Sequence, residues 1–448
     1  MALTREALES ELNDLRADMR REALLALVEM SARGEINLPP PRPVVNLHCH
    51  TSFSYNGYGW SPSYIAWKAR VEGLLVVGVV DFDVLDAVEE FLWAASVVGI
   101  RACAGIETRV FVSQYAGKEI NSPGEPGVAY HMGTGYVPGV SGDTTLLARL
   151  KSIAQHRNRT MLGRINAVLD PVLIDYERDV TSLTPNGNAT ERHLCIAYDL
   201  KARQLYPDDE SRVQFWASKL NADPQKVSGV LNRPPELQGL IRSRLMKSGG
   251  AGYVQPLGPE FPTLEQFNAF VLEAGALPTM AWLDGTLEAE RDIEKLLDSM
   301  MEGGVAVVNI IPDRNWNIPD PKLRKVKVEK LHEFVAYARK NDLPVVIGTE
   351  INAYGQRFVD DFEAPELQPL TETFLDGAYV LYGHTVLQAH ARMGYLSRWA
   401  RKNFMSRKER NAFYRRVGEC VAPGEAAVVD LVKLEMGPKD VIRICCKS

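Results

Sequence analysis

Two histidines separated by one residue, His48 and His50, end a short apolar run and could bind one metal ion together. If residues 44–49 form a strand, the two imidazoles share a face, because alternate side chains of a strand point to the same side. A structural role is the alternative, but burying two imidazoles without polar partners is costly. Glu107 ends another apolar run and could complete the set of ligands. A divalent ion held in this way lowers the pKa of its bound water to about 7, which is the chemistry of metal-dependent hydrolysis.

Other polar and cationic residues could act around such an ion. Asp81 and Glu350 end predicted strands and are candidate catalytic groups, although either could instead cap a following helix. Arg192 is a candidate for stabilising negative charge in the reaction, and Arg164, Arg192 and His193 are candidates for binding an anionic substrate. Arg192 and His193 stand where a loop leads into a predicted helix, whose first amide groups attract anions. A capped helix that carries a solvated arginine would give the same pattern.

Short β-branched runs alternate with helical patterns along most of the chain, which is typical of parallel strands joined by crossover helices. Continuous apolar runs of this length indicate strands buried on both faces, as in a barrel or a doubly wound sheet. Barrels place their active sites at the carboxyl ends of the strands, where the candidate residues stand. The predicted strands are 44–49, 74–81, 101–108, 278–284, 304–312, 344–350 and 377–383.

The alternation of strands and helices is interrupted once, which predicts an insertion that caps or lids the barrel. In chain order we predict an N-terminal helix with a Pro-rich connector, a first part of the barrel, a helical insertion, a second part of the barrel, and a C-terminal extension of helices and strands, over residues 1–43, 44–169, 170–256, 257–392 and 393–448 respectively. The N-terminal helix is predicted from about residue 4 to residue 30. Its apolar stripe packs on the main body or, alternatively, pairs with a second subunit in a homodimer.

The composition of the 448 residues excludes several classes of protein. An apolar share of 46% and a charged share of 24% are those of a globular protein with a large core. The net charge of −6 provides no basic field for nucleic acid or anionic lipid, and no run reaches the roughly 18 apolar residues that span a bilayer. Six scattered cysteines without a C-x-x-C argue against disulfides and a thiolate zinc site, so we expect a cytoplasmic protein. The sequence contains no motif for nicotinamide, ATP or a serine nucleophile.

The motifs also resemble those of one known family. The string His48-Cys-His-Thr51, followed by Val79-Val-Asp-Phe-Asp83, by Gly105-Ile-Glu107 and by His131, is similar to the PHP (polymerase and histidinol phosphatase) domain. The resemblance covers residues 44–385 apart from the insertion, and it implies a distorted (β/α)7 TIM-like barrel that binds up to three metal ions for phosphoester hydrolysis. Carried over, it makes His48, His50 and Glu107 ligands of one ion, adds His131 for a second, and matches His384 to a histidine near the C-terminal strand.

Three positions depart from the pattern of that family. Phe82 and Trp282 stand where the PHP pattern has histidines, and Tyr382 stands where it has an aspartate. Phenylalanine and tryptophan cannot bind a metal, and a neutral tyrosine replaces a carboxylate poorly. The resemblance therefore implies one or two divalent ions, Zn, Mn or Fe, at a reduced site, or a site that has decayed.

Three functions follow from these observations. The first is a metal-dependent phosphoesterase that acts on a small phosphorylated substrate. The second is a non-catalytic PHP-like module that binds a small anion or a protein partner. The third is an amidohydrolase-like enzyme for C–N bonds, since H-x-H on a first barrel strand occurs there too, although Trp282 stands where such a site needs a histidine.

Overall fold

A seven-stranded sheet forms the centre of the protein in a computed structural model, which describes residues 4–139 and 143–446. The strands follow one another around the sheet in chain order, and all neighbouring pairs are parallel except the two that involve β4. The first and last strands meet, because the His50 amide donates to the Glu350 carbonyl and the Glu350 amide to the His48 carbonyl, both at 2.7 Å. The predicted α/β barrel with seven strands is thereby confirmed. The strands are β1 Val45–Cys49, β2 Val76–Phe82, β3 Arg101–Phe111, β4 Val128–Tyr136, β5 Leu277–Trp282, β6 Val307–Ile310 and β7 Val345–Ile347.

Helices cover the barrel on the outside and explain why its strands are apolar on both faces. In β2, for example, every residue is buried except Phe82 at its end. The N-terminal prediction is wrong in one respect, since two helices with a break at residues 12–16 replace the single helix. Their apolar positions Leu24 and Leu27 are fully buried in the main core, and pairing in a homodimer stays a prediction. The first four helices are α1 Arg5–Glu11, α2 Ala17–Ala32, α3 Pro62–Val71 and α4 Val88–Val98.

The segment between β4 and β5 is helical and has a hydrophobic core of its own. This core contains Trp216, Tyr198 and Met161, each fully buried. Asn188 connects the segment to the barrel, because its Nδ2 donates to the carbonyl oxygens of Phe82 at 2.8 Å and Phe53 at 3.2 Å. The helices are α5 Thr144–Leu169, α6 Glu191–Leu205, α7 Asp209–Leu220, α8 Pro224–Val230 and α9 Pro234–Leu245.

The second half of the barrel is followed by a long helix, α14, where the sequence pattern predicts a strand. The predicted strand 377–383 is wrong, since these residues lie within α14, and an apolar run buried on all sides has no period that separates strand from helix. This helix closes the amino-terminal end of the barrel, where Gly377 passes so close to Val345 that a Cβ would lie 2.0 Å from the Val345 carbonyl oxygen. The helices are α10 Leu264–Glu273, α11 Ile293–Glu302, α12 Asp313–Trp316, α13 Pro321–Lys340, α14 Thr371–Ala391, α15 Arg398–Asn403, α16 Arg407–Cys420 and α17 Pro438–Cys445.

The C-terminal extension departs from expectation in two ways. Its described part, 393–446, contains helices and no strand. Cys420 and Cys446 form a disulfide, so the expectation against disulfides is wrong for this pair. The two cysteines are 26 residues apart and meet only because α17 packs beside α16, which spacing alone does not reveal. Among the described residues, no helix has the length and apolar character needed to cross a membrane.

Candidate metal centre

Three buried side chains converge at the carboxyl-terminal end of the barrel strands. The Nε2 atoms of His48 and His50 lie 3.3 Å and 3.1 Å from Oε2 of Glu107, and 3.4 Å from each other. A tetrahedron with metal–ligand bonds of about 2.0–2.1 Å has edges of about 3.3 Å, so the three separations suit a single ion. In the described part of the chain, no other group of three or more His, Cys, Asp or Glu side chains has this convergence.

The neighbours of the two histidines orient them toward that point. Asn309 Oδ1 lies 2.8 Å from His48 Nδ1, so it accepts the Nδ1–H and leaves the Nε2 lone pair for an ion. The ring of Phe82 stacks on the ring of His50, with centroids 4.0 Å apart and planes at 23°. The departure of Phe82 from the PHP pattern therefore replaces a ligand with a packing contact that fixes the orientation of His50.

The close approach of His48 to the end of β7 requires a glycine at position 348. A Cβ on Gly348 would lie 2.3 Å from the Cβ of His48 and 2.4 Å from its amide nitrogen. Because real Cβ atoms do not approach other atoms so closely, only glycine fits where β7 passes β1.

At the centre, the carboxylate of Glu107 and the two imidazoles stabilise each other's charged forms. Burial opposes ionisation of Glu107, but the adjacent His48 and His50 hold its pKa well below the usual value. Burial likewise disfavours the charged form of His48, yet Glu107 outweighs it and raises the pKa of His48. Histidine and carboxylate ligands bind a metal in their deprotonated forms, so metal binding at this cluster competes with protons.

Asp81 and Glu350, the two carboxylates predicted to be catalytic, have different surroundings. Both oxygens of Asp81 are occupied, by the Thr51 amide at 2.8 Å, the Thr51 hydroxyl at 2.7 Å and the Ser54 hydroxyl at 2.5 Å. Asp81 is therefore a positioning residue that holds the loop after β1. Glu350 lines the cavity next to the centre, and its Oε2 pairs with Arg314 Nη2 at 2.5 Å. Burial raises the pKa of Glu350, but the positive charge of Arg314 outweighs burial and keeps this pKa below the usual value.

The structure does not bring His131 and His384 to the centre. In the antiparallel pair of β3 and β4, Met132 is opposite Glu107 and His131 is opposite Thr108, so His131 faces away from Glu107 and its Nε2 contacts Asn268 at 2.8 Å. His384 lies in α14 at the other end of the barrel. Its Nε2 contacts the Gly135 carbonyl oxygen at 3.1 Å and its Nδ1 accepts from the Tyr395 amide at 2.9 Å. The second ion that the resemblance implies has no ligands from either histidine.

These two histidines should instead make the fold sensitive to acid. Burial lowers the pKa of both His131 and His384 to about 4, below the ordinary 6.5 that they regain on unfolding. Both are neutral in either state above about pH 6.5, so the loss of stability begins as the pH falls below that value. We expect each to reduce the free energy of unfolding by about 2 kcal/mol between pH 7 and pH 5.

Urea denaturation at both pH values measures this effect. The variant His384→Gln keeps an amide nitrogen and oxygen for Gly135 and Tyr395 and should show a smaller loss, whereas His156→Gln, at an exposed position, should behave as the wild type. An equal loss in all three proteins would contradict the assignment.

A cavity of about 390 Å³ opens over the centre, between the barrel and the helical insertion. Arg192 lines it, whereas the other two predicted substrate-binding residues do not. Arg164 is exposed on α5 and donates to the Tyr253 carbonyl. His193 caps the start of α6, where its Nδ1 accepts from the Thr190 amide at 3.0 Å.

Sequence reasoning missed most of the polar residues of this cavity. Arg314 follows β6 directly, so the rule that active-site residues follow barrel strands could have found it. No comparable signal was available for the cations that the insertion contributes, because they lie on helices far apart in the chain. The missed polar residues that line the cavity include Arg109, Asn121, Glu125, Tyr130, Arg157, Asn158, Asn188, Glu191, Arg242, Lys247, Arg314 and Asn352.

Comparisons with known proteins give likenesses of structure. No family model matches the sequence, and no curated protein matches it. An amidohydrolase from Chromobacterium violaceum, with bound sulfate and no metal, superposes with a TM-score of 0.46 at 17% identity, over 75% of this chain and 96% of its own. A protein from Bifidobacterium adolescentis, provisionally described as a metal-dependent phosphoesterase, superposes with a TM-score of 0.46 at 18% identity, over 75% of this chain and 98% of its own. The chain is an α/β barrel protein by its own strand topology, and it is similar in structure to an amidohydrolase and to a provisionally described metal-dependent phosphoesterase.

Proposed function

We propose that this protein is a metal-dependent hydrolase and that its substrates are small phosphoesters. The observation that carries the proposal is the convergence of His48, His50 and Glu107 at a cavity that also contains several arginines and a lysine. The three side chains leave coordination positions open for water and substrate. Guanidinium groups match phosphate oxygens in charge and geometry.

Residues of this chain would divide the work as follows. When bound, a divalent ion supplies a water of lowered pKa and withdraws charge from a phosphoryl oxygen. His48, His50 and Glu107 hold that ion. The Nδ2 of Asn309 is buried in the cavity wall without a partner, and Arg314 lies beside Glu350. Both are donors placed to bind phosphoryl oxygens, which stabilises the charge that develops in the reaction.

The three departures from the PHP pattern do not obstruct this site. Phe82 packs against His50, the ring of Trp282 stacks on Phe334 of α13 with centroids 4.5 Å apart, and Tyr382 lies in α14. These packing roles agree with a site for one ion instead of three, and the non-catalytic module stays an alternative that metal analysis tests. Hydrolysis of neutral C–N bonds remains the second candidate, but it gives no reason for a cavity rich in cations.

Elemental analysis and substrate assays test the proposal. Protein purified without chelator should contain about one divalent ion per chain, and it should release phosphate from p-nitrophenyl phosphate or p-nitrophenol from bis-p-nitrophenyl phosphate. Glu107→Gln should lose both the ion and the activity. Metal without phosphatase activity, together with hydrolysis of N-acyl amino acids, would favour the C–N hydrolase, and protein that binds no Zn, Mn or Fe would favour the non-catalytic module.

Asn309 offers a finer test, because it orients His48 without binding the ion. We expect Asn309→Ala to weaken metal binding by about 10-fold to 100-fold, since the imidazole loses the partner that selects its tautomer. Competition with a chelating dye measures the dissociation constant. Asn317→Ala removes a surface hydrogen bond to Asp313 and serves as the control with unchanged affinity. An unchanged affinity in Asn309→Ala would show that the contact does not orient the ligand.

A further inference from the structure

The wall of the cavity that α5, α6 and α9 form between β4 and β5 carries a concentration of positive charge. Arg157 comes from α5, Arg192 from the first turn of α6, Arg242 from α9, and Lys247 from just beyond the end of α9. All four line the same cavity as His48 and Glu107, and Glu191 is the acidic residue among them. Their convergence was not visible in the sequence, because the four are spread over about ninety residues of helical segment.

Glu191 does not neutralise this group. Its Oε1 already accepts from Arg242 Nε and from Lys247 Nζ, both at 2.6 Å. Within the described residues, no carboxylate lies in ion-pairing distance of Arg157 or Arg192. The Nε of Arg157 is buried without a hydrogen-bond partner, and Arg192 contacts the ring of Tyr55, 5.4 Å from its centroid. Glu191 is within electrostatic range of both arginines, but neither has a carboxylate in direct contact. Partly buried guanidinium groups that lack such a contact are incompletely compensated, so the group is better suited to the protein with an anion bound than without one.

The surrounding structure holds these cations in place. Thr190 caps α6, and its side chain accepts from the Arg192 amide. Asn158 Nδ2 donates to the Ala189 carbonyl at 2.7 Å, and the neighbouring Asn188 donates to the Phe82 carbonyl at the end of β2. The start of α6 is therefore anchored both to α5 and to the rim beside the metal centre. Burial and the nearby Arg242 also lower the pKa of Arg192, as expected where cations are crowded together.

The cavity has room for more than a single phosphoryl group. Its volume of about 390 Å³ is in the range of small-molecule sites and exceeds the space that one phosphate needs. A phosphoryl group at His48, His50 and Glu107 would leave the cations of the insertion free for another part of the same ligand.

We propose that Arg157, Arg192, Arg242 and Lys247 form a second anion subsite, and that the substrates of this protein carry a phosphate or comparable anionic group in addition to the one at the metal centre. This inference rests on the proposed function for the identity of the reacting group. The binding of a doubly anionic ligand does not depend on turnover, so the two proposals can be tested apart.

Calorimetric titration of the metal-loaded protein with two probes is the experiment. The probes are 1,4-butanediol bisphosphate and butyl phosphate, which differ in the second phosphate group. The bisphosphate should bind about 10-fold to 100-fold more tightly, the effect of one or two charge-assisted contacts. In the double variant Arg157→Gln/Arg192→Gln this advantage should shrink to about 3-fold or less. Arg159→Gln, on the same helix and paired with the exposed Glu177, is the matched control and should keep the full advantage.

Each outcome decides the inference. The double variant removes two cations without carboxylate partners, so it should fold, and its thermal midpoint verifies this. A bisphosphate advantage that depends on Arg157 and Arg192 supports the subsite even if neither probe is hydrolysed, in which case the proposed phosphoesterase function fails alone. Equal affinity for both probes, or an advantage unchanged in the double variant, overturns the subsite even if butyl phosphate is hydrolysed.

Discussion

Replacing His48 and His50 together by alanine should leave the protein without bound metal and without hydrolytic activity. Two of the three converging ligand atoms disappear, and Glu107 alone cannot hold a divalent ion at this site. Because a bound ion supplies both the nucleophile and several kcal/mol of charge stabilisation, we expect the rate to fall about 1,000-fold or more. Inductively coupled plasma mass spectrometry of chelator-free protein, with phosphate-release assays, measures both effects.

The control is His156→Ala, an exposed histidine on α5, which should keep metal and activity. The double variant leaves Glu107 buried beside a small void, which could destabilise the fold. Circular dichroism therefore checks that the double variant is folded. Metal content equal to that of the wild type in a folded double variant would remove the basis of the catalytic proposal.

The second large effect should come from Gly348, which touches no substrate. In Gly348→Ala the new methyl group would lie 2.3 Å from the Cβ of His48, so either β7 or His48 must move. Overpacking of this kind costs about 1–3 kcal/mol in a well-packed core. A shift of His48 by a few tenths of an ångström also spoils the separations that suit one ion. We therefore expect a lower thermal midpoint together with at least about 10-fold weaker metal binding.

Gly163→Ala is the matched control, because a Cβ at that position in α5 has no atom within 4 Å. It should stabilise the protein by up to about 1 kcal/mol through the higher helix propensity of alanine. Metal affinity should not change in this variant. If Gly348→Ala bound metal as tightly as Gly163→Ala does, the close approach of β7 to β1 would not be what positions His48.

Predictions from sequence succeeded where the signal was local. His48 in β1 and His50 directly after it converge as their spacing of two predicts, and Glu107 in β3 reaches the same rim of the barrel. They were less successful where neighbours decide the outcome. β4 contains His131, Thr134 and two glycines, so it has no apolar run to reveal it, and it forms only by antiparallel pairing with β3.

His384 shows the same limit in the opposite direction. The apolar residues before it suggested a strand, but they are buried in a helix packed against both the barrel and α16, where apolar side chains are needed all round. An apolar run records that a segment is buried and not which element buries it.

The sequence by itself determined the buried strands and the two-histidine motif, because strand periodicity and the rule that strand ends share one rim need only local information. The expectation of a closed barrel came from the resemblance to the PHP domain. The tertiary structure decided which other residues reach that rim. Because of the antiparallel register of β3 and β4, His131 faces away from Glu107, and His384 lies in α14 at the opposite end of the barrel. The helices between β4 and β5 place Arg157, Arg192 and Arg242 on one wall of the cavity. Such placements depend on the packing of elements that are distant in the chain. The spacing of residue types along the sequence therefore does not predict them.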